Sequence, residues 1–341
     1  MIIIAAKTTA VVNLKAIYDN AKKIKGLTGK NVLLCGVVIA DAYGHGGAAV
    51  ANAIYPLCDF FAVALTDEGI ALRQAGIDKR ILLLTPITQM KERAVRYNLT
   101  LTVSKISHIK IIETICRRIN KRVTVHIKYN SGMNRLGCEF NELYSLVDLI
   151  LKSKYLELEG IYSHFYMSEN EIFREEQYLS FLKAQDYVKS RQCNIIAHLS
   201  ASGGILAGKK YNFDMVRAGI MLYGYKPYES DKIQLKHALK ISAEVIENKI
   251  VTAGHNLLYG NYKLNESKKI SLIRLGYADG FLRKGTEKNL NNMCMDISAQ
   301  NCVHGKTITI TDFQKIAKEY KTISYEVLCN VTKRSEMVYL R

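Results

Sequence analysis

The 341-residue sequence has three prolines and no tryptophan. Average usage would give about 17 prolines. With 21 tyrosines and a formal charge of +17, this reads as the composition of an AT-rich genome. A nucleic-acid role would need basic residues clustered with aromatics. The tightest basic groups, Arg117-Arg118 with Lys121-Arg122 and the pair Lys209-Lys210, fall at expected helix ends or turns, so no nucleic-acid partner is expected. Long apolar runs are also missing: none approaches the ~18–20 residues of a membrane span. The apolar start of the chain is short and has no basic flank before it, so it reads as a strand, not a signal peptide. The eight cysteines form no Cys-x-x-Cys pair and do not alternate with histidine. That excludes a metal site or disulfide framework and fits scattered thiols in a reducing cytoplasm. Internal repeats and low-complexity segments are absent as well.

What is present is a large core. Apolar residues make up 48% of the chain and charged ones 23%, which excludes global disorder. The length allows two domains, or one barrel with an appendage. Residues 32–39 form a continuous apolar run, as expected of a strand buried on both faces. Similar runs occur at 60–65, 81–85, 99–103, 123–127, 156–162, 194–197 and 216–222. Between them lie helical patterns: 66–73, with Thr66 as the cap and Glu68 in the first turn, and the longer 140–152 and 171–189. Eight strands alternating with helices predict an α/β fold, a (β/α)8 TIM barrel over residues 8–228. After residue 228 the pattern changes. Runs at 239–253, 269–275, 307–311 and 323–339 are β-type, with 312–321 as the main helical exception. This predicts a C-terminal, mainly β domain over 229–341, joined by residues 1–7.

In such barrels, function sits where strands end. The first strand leads to Ala40-Asp41-Ala42-Tyr43-Gly44-His45-Gly46-Gly47, where glycines permit a tight turn. The fifth leads to Lys128 and on through Ser131-Gly132-Met133-Asn134-Arg135-Leu136-Gly137. The sixth ends at Ser163-His164, the seventh at His198-Leu199-Ser200-Ala201-Ser202-Gly203-Gly204 and the eighth at Arg217-Ala218-Gly219-Ile220. The Ser202 hydroxyl and the backbone N–H groups at Gly203, Gly219 and Ile220 lie where barrels commonly bind phosphate. Taken one at a time, each of these residues has an equally ordinary structural explanation.

Together, the strings at 40–46 and 131–137, Gly276-Tyr277-Ala278-Asp279-Gly280 and Cys294-Met295-Asp296 resemble the motifs of bacterial alanine racemases, in the same order and across almost the whole chain. The resemblance implies a barrel that binds pyridoxal 5'-phosphate and a β domain that contributes to the partner's active site in a head-to-tail homodimer. It also implies interconversion of L- and D-alanine for cell-wall precursors. By motif, Tyr43, Ser202, Gly219, Ile220 and Tyr325 resemble the phosphate-binding set. Arg217 resembles the arginine facing the pyridine nitrogen, and His164 the histidine at the cofactor ring. Arg135 is similar to the arginine that contacts cofactor and substrate carboxylate, and Lys128 to its supporting lysine, carbamylated in some members. Tyr277 resembles the catalytic tyrosine supplied by the opposing subunit, and Met295 with Asp296 the segment that enters the neighbour's site. A nearby His and Arg would favour the phenolate of Tyr277 and let it act as a base.

One position departs decisively. The family has lysine immediately before Ala-Asp-Ala-Tyr-Gly-His-Gly; here that residue is Ile39. The family lysine holds the cofactor as a Schiff base and exchanges protons on the face opposite the tyrosine. Isoleucine does neither. Lys30 lies at the wrong end of the same strand, and Lys128 is committed to supporting Arg135. Ala201 replaces the usual asparagine, Ala218 the usual proline, and the stretch 283–293 is shorter than the family segment. The expectation is therefore a family member that holds its cofactor noncovalently at most and is weakly active or inactive. The alternatives are a functional racemase despite Ile39 and a non-catalytic dimer that binds pyridoxal phosphate or an amino acid.

Overall fold

The computed structural model describes residues 8–88, 92–259, 263–283 and 292–341. The described chain divides into two compact units. One holds residues 17–42 and 47–236, the other 8–16, 43–46 and 237–341. Residues 8–16 fall with the β unit because the first strand, β1 (Thr8–Asn13), is hydrogen-bonded into it. The expected strand at 1–7 lies outside the described residues, as do residues 284–291 of the shortened stretch 283–293.

The first unit is a parallel barrel. Its strands are β2 (Leu33–Val37), β3 (Phe60–Val63), β4 (Arg80–Leu83), β5 (Thr100–Val103), β6 (Val123–Lys128), β7 (Leu156–Tyr162), β8 (Ile196–His198) and β9 (Met215–Ala218). They pair in the order β8-β7-β6-β5-β4-β3-β2-β9. Between β8 and β9 the ring is joined by Asp214 N–H to Ala197 O at 3.0 Å, Arg217 N–H to Ser200 O at 3.0 Å and a parallel bridge between Ala201 and Arg217. All four residues of β3 are buried, as parallel strands covered by helices require. Gly36 lets the following helix approach β2, since a Cβ there would lie 2.9 Å from Ile54 Cδ1. The helix Phe140–Lys152 buries Leu143, Leu146, Val147 and Ile150, a single stripe at three and four spacing. The helix expected at 171–189 runs over Glu171–Arg191, capped by the Asn170 side chain accepting from Phe173 N–H at 3.2 Å.

Two local readings change. The run at 216–222 is strand only to Ala218; Gly219 breaks it and Ile220–Tyr223 forms a 3-10 turn. Thr66 is the first helical residue of Thr66–Gln74 and does not cap it. Glu68 does that work. Its carboxylate accepts from Ala64 and Leu65 N–H, both at 2.9 Å, and from Ala40 N–H at 2.6 Å. One side chain therefore ties this helix start to the loop after β2.

The second unit is organised by β10 (Leu239–Val251), 13 residues long. It runs antiparallel to β1, β11 (Lys268–Ile273) and β14 (Thr307–Ile310). Two strands follow β11: β12 (Asn292–Met293) and β13 (Ser298–Asn301). The last, β15 (Glu336–Leu340), lies parallel to β1. Leu257, Ile270, Leu272 and Ala299 form a local core, with Val251, Leu258 and Ile297 packed against it. The β-type reading of 323–339 is corrected: a helix occupies Ser324–Val331, and only the end is strand. Ser324, Val327, Leu328 and Val331 are buried, a 3.6-residue period hidden in β-prone residue types.

Replacing Glu68 with Ala leaves the Ala40, Ala64 and Leu65 amides without their charged acceptor. We expect a loss of about 1.5–3 kcal/mol, read from the urea midpoint, together with faster exchange of the Ala40 amide. Glu68→Gln, which keeps a carbonyl acceptor, should lose less.

Candidate active site

The barrel's contribution begins just after β2. Ile39 is partly buried. Ala40, Asp41, Ala42 and Tyr43 follow with φ of 50°, 53°, 56° and 53°, a left-handed turn made without glycine. Each such residue costs about 1–2 kcal/mol against the right-handed form, so the surroundings must hold the turn. Glu68 fixes the Ala40 amide; Asp41 Oδ1 accepts from Gly47 N–H at 2.6 Å; Ala42 N–H reaches Val38 O at 3.0 Å. Backbone strain of this kind clusters at functional sites. It begins one residue after Ile39.

Arg217, at the end of β9, is buried. Its NH1 donates to His198 Nδ1 at 2.7 Å and His198 O at 3.1 Å. Its NH2 donates to Ser163 O at 2.7 Å, Leu199 O at 3.2 Å and His164 Nδ1 at 3.3 Å. Burial lowers its pKa to about 10, still cationic at neutral pH. Burial first, then the Arg217 charge, holds both His164 and His198 well below the ordinary imidazole range. Both rings are neutral. Because Arg217 can only donate, Nδ1 of His164 is an acceptor and its proton sits on Nε2.

Lys128, at the end of β6, is buried with its Nζ 4.3 Å from the Tyr162 ring centroid. Burial, reinforced by Arg217 and Arg135, pushes its pKa well down. Among the described residues, no carboxylate forms an ion pair with Lys128, Arg135 or Arg217. Arg135 is exposed on the loop after β6. That loop is closed by Asn130 N–H to Cys138 O at 3.0 Å and Cys138 N–H to Lys128 O at 2.9 Å. Ser202 Oγ accepts from Gly219 N–H at 3.2 Å, which brings Ser202 and Gly219 together.

Tyr162 was missed in the sequence. Its ring stacks on His198 with centroids 4.8 Å apart and 3° between planes, while the Arg217 Cζ lies 5.2 Å from its centroid. Its hydroxyl is paired with Thr102 at 2.8 Å and donates to Leu84 O at 3.1 Å, and burial raises its pKa to about 12. The available signal was its position, ending a strand directly before Ser163-His164.

The β unit carries the remaining expected residues. Tyr43 is buried, with its ring centroid 5.8 Å from that of Tyr325. Burial lifts both phenols, Tyr325 to about 12, so both are neutral donors. Tyr277 opens a 3-10 turn, with its side chain 41% exposed. Its N–H donates to Cys294 O at 3.1 Å, and Ala278 N–H to Met295 O at 3.0 Å. A Cβ at Gly276 would collide with the Met295 carbonyl. Arg334 holds Asp296 Oδ1 at 3.1 Å and lies 3.6 Å from the buried Asp279. Tyr277 and Met295-Asp296 are therefore presented as one exposed platform. Among the described residues, no group of three or more His, Cys, Asp or Glu side chains could hold a metal, and no helix is long and apolar enough to cross a membrane.

Comparison with known proteins agrees on family and fold. The family model for the N-terminal domain of alanine racemase matches residues 12–227, and that for the C-terminal domain matches 238–339. Alanine racemase 2 of Caldanaerobacter subterraneus subsp. tengcongensis is 31% identical, over 98% of this chain and 95% of that protein. Among solved structures, alanine racemase from Clostridium difficile 630 superimposes with a TM-score of 0.90 at 32% identity, covering 99% of this chain and 96% of that one. Alanine racemase from Bartonella henselae with covalently bound pyridoxal phosphate gives 0.85 at 25% identity, covering 98% and 100%. With both domain models matched and the barrel and β unit in place, this chain belongs to the alanine racemase family.

Proposed function

We propose that this protein binds pyridoxal phosphate without a covalent bond, together with a small amino acid such as alanine, in a head-to-tail homodimer, and racemises alanine very slowly or not at all. The observation that carries this reading is the pairing of a retained cation set with a hydrocarbon at residue 39. Arg217 and Arg135 supply positive charge and, among the described residues, no carboxylate pairs with either. That suits a ligand bearing phosphate and carboxylate groups. The relative from Bartonella henselae holds its pyridoxal phosphate covalently; Ile39 has no amine to do so. The residues fit the cofactor as a noncovalent guest only.

When bound, pyridoxal phosphate supplies an electron sink for charge at an amino acid's α-carbon. Ser202 and the Gly219–Ile220 backbone would hold its phosphate. Arg217, a fixed cation, would disfavour protonation of the pyridine nitrogen. His164 would offer its Nε2–H at the ring, and Arg135 would orient carboxylates, with Lys128 beside it. Tyr277, delivered from the neighbouring protomer with Met295 and Asp296, is the base on one face. Racemisation needs a base on each face, and Ile39 leaves the other without one. A positioned base contributes about 10²–10⁴ in rate.

The second reading, a working racemase despite Ile39, draws support from the retained Tyr277, Arg135 and Met295-Asp296. A coupled D-alanine assay separates the two. We expect little or no D-alanine from the unmodified protein and at least ~10²-fold more from Ile39→Lys. Robust turnover with Ile39 in place would favour the second reading. Calorimetry should detect pyridoxal phosphate binding at millimolar ligand, and Ser202→Ala should weaken it by about 0.5–1.5 kcal/mol, the value of one hydrogen bond.

A further inference from the structure

A line of hydrogen bonds runs away from Arg217 into the barrel, through residues that no motif assigned. His198 Nε2 lies 2.9 Å from His126 Nδ1, and His126 Nε2 lies 3.0 Å from Glu159 Oε2. Arg80, at the start of β4, reaches Glu159 Oε1 at 2.8 Å. Both imidazoles are fully buried, and the Glu159 side chain is 13% exposed.

The two ends of this line dictate every proton within it. Arg217 only donates, so His198 Nδ1 must accept and its proton lies on Nε2. That N–H donates to His126 Nδ1, which places the His126 proton on Nε2. The last N–H meets a carboxylate, which only accepts. No other arrangement of neutral rings satisfies all three contacts.

The barrel wall is shaped to make room for this line. The β6–β7 register shifts between Val125 and His126, pairing them with Leu158 and Gly160 and leaving Glu159 as the extra residue of a bulge. Bulges re-aim side chains in this way. At Gly160 a Cβ would lie 2.7 Å from both Nδ1 and Cε1 of His126 and 2.6 Å from Ile196 O. A bulge, a glycine and two buried rings serve one carboxylate, which has no role in covering the barrel.

We propose that Glu159 and His126 are positioning residues for Arg217. They fix His198 in the single tautomer whose Nδ1 accepts from the guanidinium, and so anchor one edge of Arg217 while its other edge faces Ser163 and His164. The inference rests on the reading that Arg217 faces the ring of bound pyridoxal phosphate.

The test is 15N NMR of histidine-labelled full-length protein combined with pyridoxal phosphate binding. In the unmodified protein, His198 and His126 should both show protonated Nε2 and bare Nδ1. A proton on Nδ1 of either ring overturns the proposal without any variant. Glu159→Leu removes the acceptor. The single tautomers should give way to mixtures, and affinity for pyridoxal phosphate should fall by about tenfold, the worth of one hydrogen bond to a charged group. Glu159→Gln keeps a carbonyl acceptor and should restore both readouts. Unchanged His198 signals and affinity in a folded Glu159→Leu protein would overturn the proposal, as would failure of Gln to rescue. Should the Leu variant not fold, His126→Phe takes its place, with loss of the fixed His198 tautomer expected and its retention overturning the proposal. If the unmodified protein binds no pyridoxal phosphate, the functional reading fails, while the NMR outcomes still decide the relay.

Discussion

A guanidinium buried with no carboxylate partner among the described residues is the constraint on which the rest of the barrel depends. A group of that kind is costly to bury unless every N–H finds an acceptor. The NH1 and NH2 groups of Arg217 find backbone carbonyls at the ends of β7 and β8 and two neutral imidazoles. Those partners must in turn be acceptors, which sets the tautomers of His164 and His198. With Arg135, Arg217 makes a positive field suited to an anionic guest, and it adds to burial in lowering the pKa values of Lys128, His164 and His198.

Against that chemistry stands a single hydrocarbon. Ile39 precedes four left-handed residues, a segment whose strain is held by Glu68, Asp41 and Val38. The expensive backbone that places residue 39 is still present, although that residue carries no amine. Membership of the family rests on the fold and on both domains; the proposal that covalent attachment and a base on the second face are lost rests on that one side chain.

Much of the architecture was legible because burial imposes periodicity. The eight apolar runs and the stripe over 140–152 follow from strands covered by helices and from a helix lying on them. The failures have equally physical causes. Residues 324–331 are rich in β-prone types, yet their burial follows a helix. Ala-Asp-Ala-Tyr contains no glycine or asparagine to betray a left-handed turn. Glu157 and Glu159 alternate with apolar neighbours, so both read as outward-facing; a bulge, invisible to alternation, turns Glu159 toward His126. The motif residues stand out because family strings carry them, while Tyr162 and His126 lie outside those strings.

The central claim is that this chain holds pyridoxal phosphate without a covalent bond. It is tested most directly by reducing the pyridoxal phosphate-loaded protein with borohydride and mapping any pyridoxyl group by peptide mass spectrometry. The account predicts that the cofactor leaves on dialysis and that no single lysine carries a stoichiometric pyridoxyl group. One such group per chain, retained through dialysis and located at a lysine of the barrel mouth, would contradict it.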